Sequence, residues 1–257
     1  MWKRLRIGVL LLVLGLVASD AWFEHRRATD WRATLHVGIY PVAADGSSVA
    51  ADFVARLMRE QFLPIERFFA TQARSYGVPL LDPVRIELFG RVDAQPPEPP
   101  VDAGALGIAW WSLRLRYYAA HAGRVSHGPA PQIRLFVLYH DPGRSPSVPH
   151  SLGLQQGHVG VVHVFATTTM GGSNNVVIAH ELLHTLGAID KYDLRTNAPL
   201  YPQGLGDLNQ VPRYPQQFAE IMAGRRAVSA TVQEVPETLA ICLIGRATAA
   251  EINWIQH

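Results

Sequence analysis

The sequence predicts an α/β fold of the α+β kind, a mixed twisted sheet packed on helices, and three observations carry that expectation. Short apolar runs rich in β-branched and aromatic residues recur at 35–42, 84–89, 133–139 and 159–165. Longer stretches between and after them place apolar residues at helical spacing. One of these, Val176 to Leu186, is largely apolar yet carries two histidines and a glutamate, the pattern of a helix buried behind a cleft.

Taken in order, Lys3, Arg4 and Arg6 precede Ile7 to Ala18, an unbroken apolar run of 12 residues. A membrane-spanning helix needs about 20 such residues, so the run suits the core of an export signal. Ser19-Asp20-Ala21 offers a small-x-small cleavage site, and the competing reading is an uncleaved anchor with membrane contact through residues 5–19 and Trp22 and Phe23 at the interface. Both readings export the remainder, residues 22–257, to the cell envelope, the periplasm or the medium as one catalytic domain.

Leu35 to Val42 is the first expected strand. Ser48 to Tyr76 reads as helix, with Phe53, Leu57, Phe62, Ile65, Phe68 and Phe69 at helical spacings and Pro64 marking a kink or break. Val84 to Phe89 is the second strand. Ala103 to Ala122 reads as a helix with Trp110, Trp111, Tyr117 and Tyr118 taken as packing residues. Ile133 to Tyr139 and Val159 to Phe165 are two further strands, joined by a Pro/Gly/Ser-rich loop from Asp141 to Gly157. Gly171 to Asn175 is expected to turn and cap the next helix. Lys191 to Gln217 lacks periodicity and reads as a long functional loop. A last helix is expected around Ala247 to Ile255.

The chemistry lies in His180-Glu181-Leu182-Leu183-His184-Thr185-Leu186-Gly187-Ala188-Ile189-Asp190, which reads HExxHxxGxxD. On a helix, positions i and i+4 share a face, so His180 and His184 can offer two imidazole nitrogens to one metal ion. Glu181 then stands beside the metal as a general base. Gly187 can end the helix at positive φ and turn the chain so that Asp190 supplies a third ligand, leaving the fourth zinc position open, as catalytic sites require. An HExxH string arises by chance in roughly one sequence of this composition in fifty; adding the Gly and Asp lowers this to order one in ten thousand, which makes the longer motif the informative one.

This stretch resembles the metzincin clan of zinc endopeptidases, in particular its snapalysin-like HExxHxxGxxD branch. The resemblance covers about residues 175–224 and implies a metzincin-like zincin fold, a Zn2+ cofactor and a peptide or protein substrate. It also implies a Met-turn downstream, for which Glu220-Ile221-Met222-Ala223-Gly224 is the candidate. Several clan members carry a Tyr two residues after that Met. Here the position is Gly224, so any such phenol comes from elsewhere, with Tyr192, Tyr201 and Tyr214 all open. Asp193 reads as a partner of a ligand or a loop-stabilising carboxylate, and Glu220 as an alternative third ligand. By analogy with zincins, Val159 to Phe165 is the expected strand at the rim of the cleft.

Composition excludes other classes. A formal charge of +2 with 17% charged residues gives no basic stripe for nucleic acid. Cys242 is the only cysteine, so no intrachain disulfide forms. His121, His127, His140, His150, His158 and His163 read as surface or hydrogen-bonded residues. Two rival functions stand beside the peptidase: a zinc-binding, non-catalytic envelope interaction protein, and a zinc hydrolase of a non-peptide cell-wall amide. An intact Glu181 argues against the first, because structural zinc binding does not need it.

Overall fold

A computed structural model describes residues 29–100, 104–122, 131–155 and 158–255. The expected export segment, residues 1–21, lies outside them. The chain forms a mixed α/β structure built on a mostly parallel sheet. Its elements are β1 (Leu35–Ala43), α1 (Ser48–Ala55), α2 (Leu63–Ser75), β2 (Val84–Leu88), α3 (Ala105–Ala122), β3 (Ile133–His140), β4 (Leu152–Leu154), β5 (Val159–Phe165), α4 (Gly171–Thr185) and α5 (Arg246–Glu251). The strand order is β2-β1-β3-β5-β4, with only β4 antiparallel.

Parallel strands need crossovers, and those crossovers cover both faces of the sheet. Val37, Ile39, Leu135, Val137, Val162 and Val164 pack on one face with residues of α1, α2 and α4, in the larger core. Tyr40, Val42, Phe136, Leu138 and Val161 pack on the other with Trp111, Leu115 and Ala119 of α3. This explains why the strands read as near-continuous apolar runs rather than strict alternation. Each fully buried Val, Leu or Ile in these layers contributes about 1.5–3 kcal/mol relative to exposure.

The helical stretch from Ser48 is interrupted after Ala55, several residues ahead of Pro64. Arg59–Phe62 forms a 3-10 turn, and Pro64 occupies the first turn of α2, where its missing N–H costs nothing. Two expectations are corrected. Gly171 to Asn175 does not cap α4 but forms its first turns, because a 3-10 turn at Thr168–Met170 runs straight into the helix. Gly172 has no room for a side chain there: an added Cβ would lie 2.2 Å from the Glu237 carbonyl oxygen. The segment read as a plain loop before β5 contains β4, so β5 pairs on both sides and β4 is the edge strand beside α4.

Candidate metal centre

α4 presents His180 and His184 one turn apart, and both rings are fixed from behind. Nδ1 of His180 donates to the Ile221 carbonyl at 2.9 Å, and Nδ1 of His184 to the Ala188 carbonyl at 2.8 Å. A carbonyl oxygen only accepts, so each neutral ring keeps its proton on Nδ1 and turns the Nε2 lone pair forward. Those two Nε2 atoms lie 3.0 Å apart. Gly187, at φ +105°, ends the helix and reverses the chain. Asp190 Oδ1 thereby arrives 3.2 Å from His180 Nε2 and 3.1 Å from His184 Nε2.

Three electron-rich atoms converging this closely repel one another unless a positive charge is shared among them. A tetrahedral ion with bonds of about 2.0–2.1 Å separates its donors by about 3.3 Å, so the triangle fits a single zinc-sized ion. Two imidazoles and one carboxylate are also a donor set suited to zinc. Asp190 Oδ1 is buried and without a hydrogen-bond partner. Burial pushes the Asp190 carboxyl upward, but the two imidazoles hold it well below the usual carboxylate range. Burial opposes charge on His180, yet the carboxylates of Asp190 and Glu181 raise its pKa above the ordinary value.

Glu181 is buried beside both histidines, their ligand atoms lying within 4.8 Å of one another. Gly153 of β4 lies against the carboxylate, whose Oε2 is buried without a hydrogen-bond partner. Burial raises its pKa, partly offset by His180 and His184. The edge strand touches the helix here. A Cβ on Gly153 would stand 2.5 Å from the His184 Cβ and 2.6 Å from the Glu181 carbonyl oxygen, so only glycine lets β4 pass this close.

The turn below the histidines is a single 3-10 turn, Ile221–Ala223, closed by Gly224 at φ +65°. Met222 is fully buried, and its carbonyl accepts the Lys191 N–H at 2.8 Å. The same turn thus holds His180 through Ile221 and the Asp190 strap through Met222. Glu220 is not a ligand: its oxygens accept Ala223 N, Gly245 N and the Thr248 hydroxyl at 2.9, 3.1 and 2.6 Å. Asp193 caps its own loop, accepting Arg195 N, Thr196 N and the Thr196 hydroxyl.

Of the three open tyrosines, Tyr192 is the one at the site. Burial raises its pKa first, and the Asp190 and Glu181 carboxylates raise it further. Tyr201 is exposed under the Arg213 guanidinium, 4.7 Å from its ring centroid, and Tyr214 is half-buried in the following loop. Among the scattered histidines, His140 Nε2 meets His163 Nδ1 at 2.8 Å on the sheet face that carries α3. His150 lines a small cavity beside them. His121 and His158 bond the Tyr117 and Thr185 carbonyls. His127 lies outside the described residues.

One supporting residue has no signal in the motif. Lys191 is 1% exposed, and its Nζ lies 2.7 Å from both oxygens of Glu251 and 2.8 Å from the Ile189 carbonyl. Glu251 also accepts the Ile189 N–H at 3.0 Å. The strap carrying Asp190 is therefore bolted to α5. Glu251→Ala leaves a buried ammonium without its counter-charge and is expected to cost about 3 kcal/mol of folding stability, read from the urea midpoint.

No protein-family model matches this chain, and no curated protein is significantly similar to it in sequence.

Proposed function

We propose that this chain is an exported, zinc-dependent endopeptidase of metzincin-like architecture, with His180, His184 and Asp190 holding the ion and Glu181 as general base. The observation that carries the reading is the convergence of two imidazole Nε2 atoms and one carboxylate oxygen beside a buried glutamate oxygen that has no partner. The clan resemblance rests on the HExxHxxGxxD motif and is supported by the buried Met222 turn that backs His180. Export is supported by the basic residues that precede the apolar run Ile7 to Ala18.

When bound, the ion supplies Lewis acidity, acidifying a water molecule and polarising the scissile carbonyl. Glu181 Oε2 takes the proton from the attacking water and passes it to the leaving amine nitrogen. Its burial, with Gly153 of β4 packed against it, keeps that oxygen dry. Tyr192, close enough to feel the Asp190 and Glu181 carboxylates, is the candidate phenol to support developing charge. Tyr192→Phe is expected to lower kcat about 10²-fold with little change in KM, bound metal being retained.

β4 favours a polypeptide over a small amide as substrate. An edge strand offers unpaired backbone groups, and an extended chain laid along it gains main-chain hydrogen bonds independent of its sequence. Because β4 crosses α4 at Gly153, such a chain would lie beside Glu181. The test is metal content together with cleavage of an unstructured protein, with and without a chelator. One zinc per chain with chelator-sensitive cleavage is expected. Stoichiometric zinc without cleavage would favour the non-catalytic binding protein, and a chain without zinc would sink the proposal.

A further inference from the structure

α3 carries large apolar residues on two opposite sides, yet among the described residues only one of those sides is covered. Trp111, Leu115 and Ala119 pack onto the sheet. On the opposite side Leu106, Trp110, Leu113 and Tyr117 are 89%, 63%, 57% and 66% exposed. Their spacing of four, three and four residues sets them in one stripe, about 16 Å long at 1.5 Å per residue. Trp110, Leu113 and Tyr117 also line an open hollow with Pro97 and Arg114. A contiguous exposed patch of this kind marks an interaction surface.

We propose that this stripe docks on an anionic lipid bilayer. Charge selects the partner. The 18 residues of α3 include Arg114 and Arg116 and no carboxylate, and the chain from Ala103 to His140 contains no Asp or Glu. Of the carboxylates in the adjoining segment, Asp93 is paired with Arg91 at 2.9 Å, leaving exposed Glu98 and Asp102, the latter outside the described residues. Trp and Tyr combine an apolar body with a polar tip and settle at headgroup depth, Leu inserts below them, and arginine beside them meets lipid phosphates. The same chain carries a second membrane-directed feature in Lys3, Arg4, Arg6 and the apolar run Ile7 to Ala18. A second copy is a poor partner, because a two-fold pairing of this face sets arginine against arginine with no acid between. α3 and α4 lie on opposite faces of the sheet, so docking by α3 keeps the metal centre on the far side from the bilayer.

The test uses the full chain with Ala109→Cys, an exposed position beside the stripe, carrying a fluorophore. Cys242 is buried with its thiol pushed up to about 12 by that burial, so it escapes labelling. Quenching by aqueous iodide is measured on addition of phosphatidylcholine vesicles with or without phosphatidylglycerol. The quenching constant is expected to fall about fivefold with the anionic vesicles only. Trp110→Asp combined with Leu113→Asp should abolish the protection, and Arg114→Glu should weaken vesicle affinity at least fivefold. Unchanged quenching while the chain co-sediments with vesicles would assign the contact to another segment and overturn the proposal. So would protection that grows with protein concentration in the absence of lipid, the signature of self-association. The readout needs neither bound metal nor peptidase activity.

Discussion

Glu181→Gln is expected to abolish peptide hydrolysis while leaving metal content unchanged. The amide keeps the size and the Gly153 contact of the carboxylate but cannot take a proton from water, so kcat should fall by about 10²–10⁴-fold. The side chain stands beside the histidines without belonging to the triangle formed by their Nε2 atoms and Asp190 Oδ1. Zinc analysis of the purified variant, set against cleavage of an unstructured protein, separates the two roles. A variant that keeps more than a tenth of wild-type turnover would remove Glu181 from the proton transfer.

His184→Ala should lose both metal and activity. It deletes one corner of the donor triangle, leaving His180 Nε2 and Asp190 Oδ1, and it also releases the Ala188 carbonyl that orients the ring. Loss of a ligand outweighs loss of an orienting group, which typically costs 10–100-fold in metal affinity. The variant should unfold at a lower temperature in the presence of zinc than the native protein, because it forfeits the stabilisation that ligand binding confers. Full zinc occupancy in His184→Ala would refute the ligand assignment. Metal loss together with a collapsed circular-dichroism spectrum would trace the defect to folding, and His184→Gln, closer in bulk, then decides the matter.

Much of this arrangement was legible in the residues because it is local. His180, Glu181 and His184 follow from helical geometry, and Gly187 announces the turn that delivers Asp190. The four long strands were legible for another reason: sheet strands covered on both faces are apolar throughout, as β1 and β3 are. What escaped depends on contacts between distant segments. β4 is three residues long, too short for any period to show, and its Gly153 is informative only once α4 lies against it. Tyr192 was one of three equivalent tyrosines until the fold brought it beside the Asp190 and Glu181 carboxylates. Lys191 looked like any loop lysine, although Glu251, 60 residues on, is what buries it. Local pattern does not separate the two faces of α3 either, because both are apolar and only packing reveals which one is covered.

The clamp between Lys191 and Glu251 also sets an order of events. A polypeptide leaving a ribosome or a translocation pore emerges N-terminus first, so α4, with His180 and His184, appears well before the segment that secures the Asp190 strap. Until the Met222 turn and then α5 have docked, the His180 ring and the Asp190 strap lack the partners that hold them in place. The proposed hydrolytic site is therefore completed last. For the peptidase proposed above, that order would keep the site incomplete during the interval when its own chain is the nearest unfolded substrate.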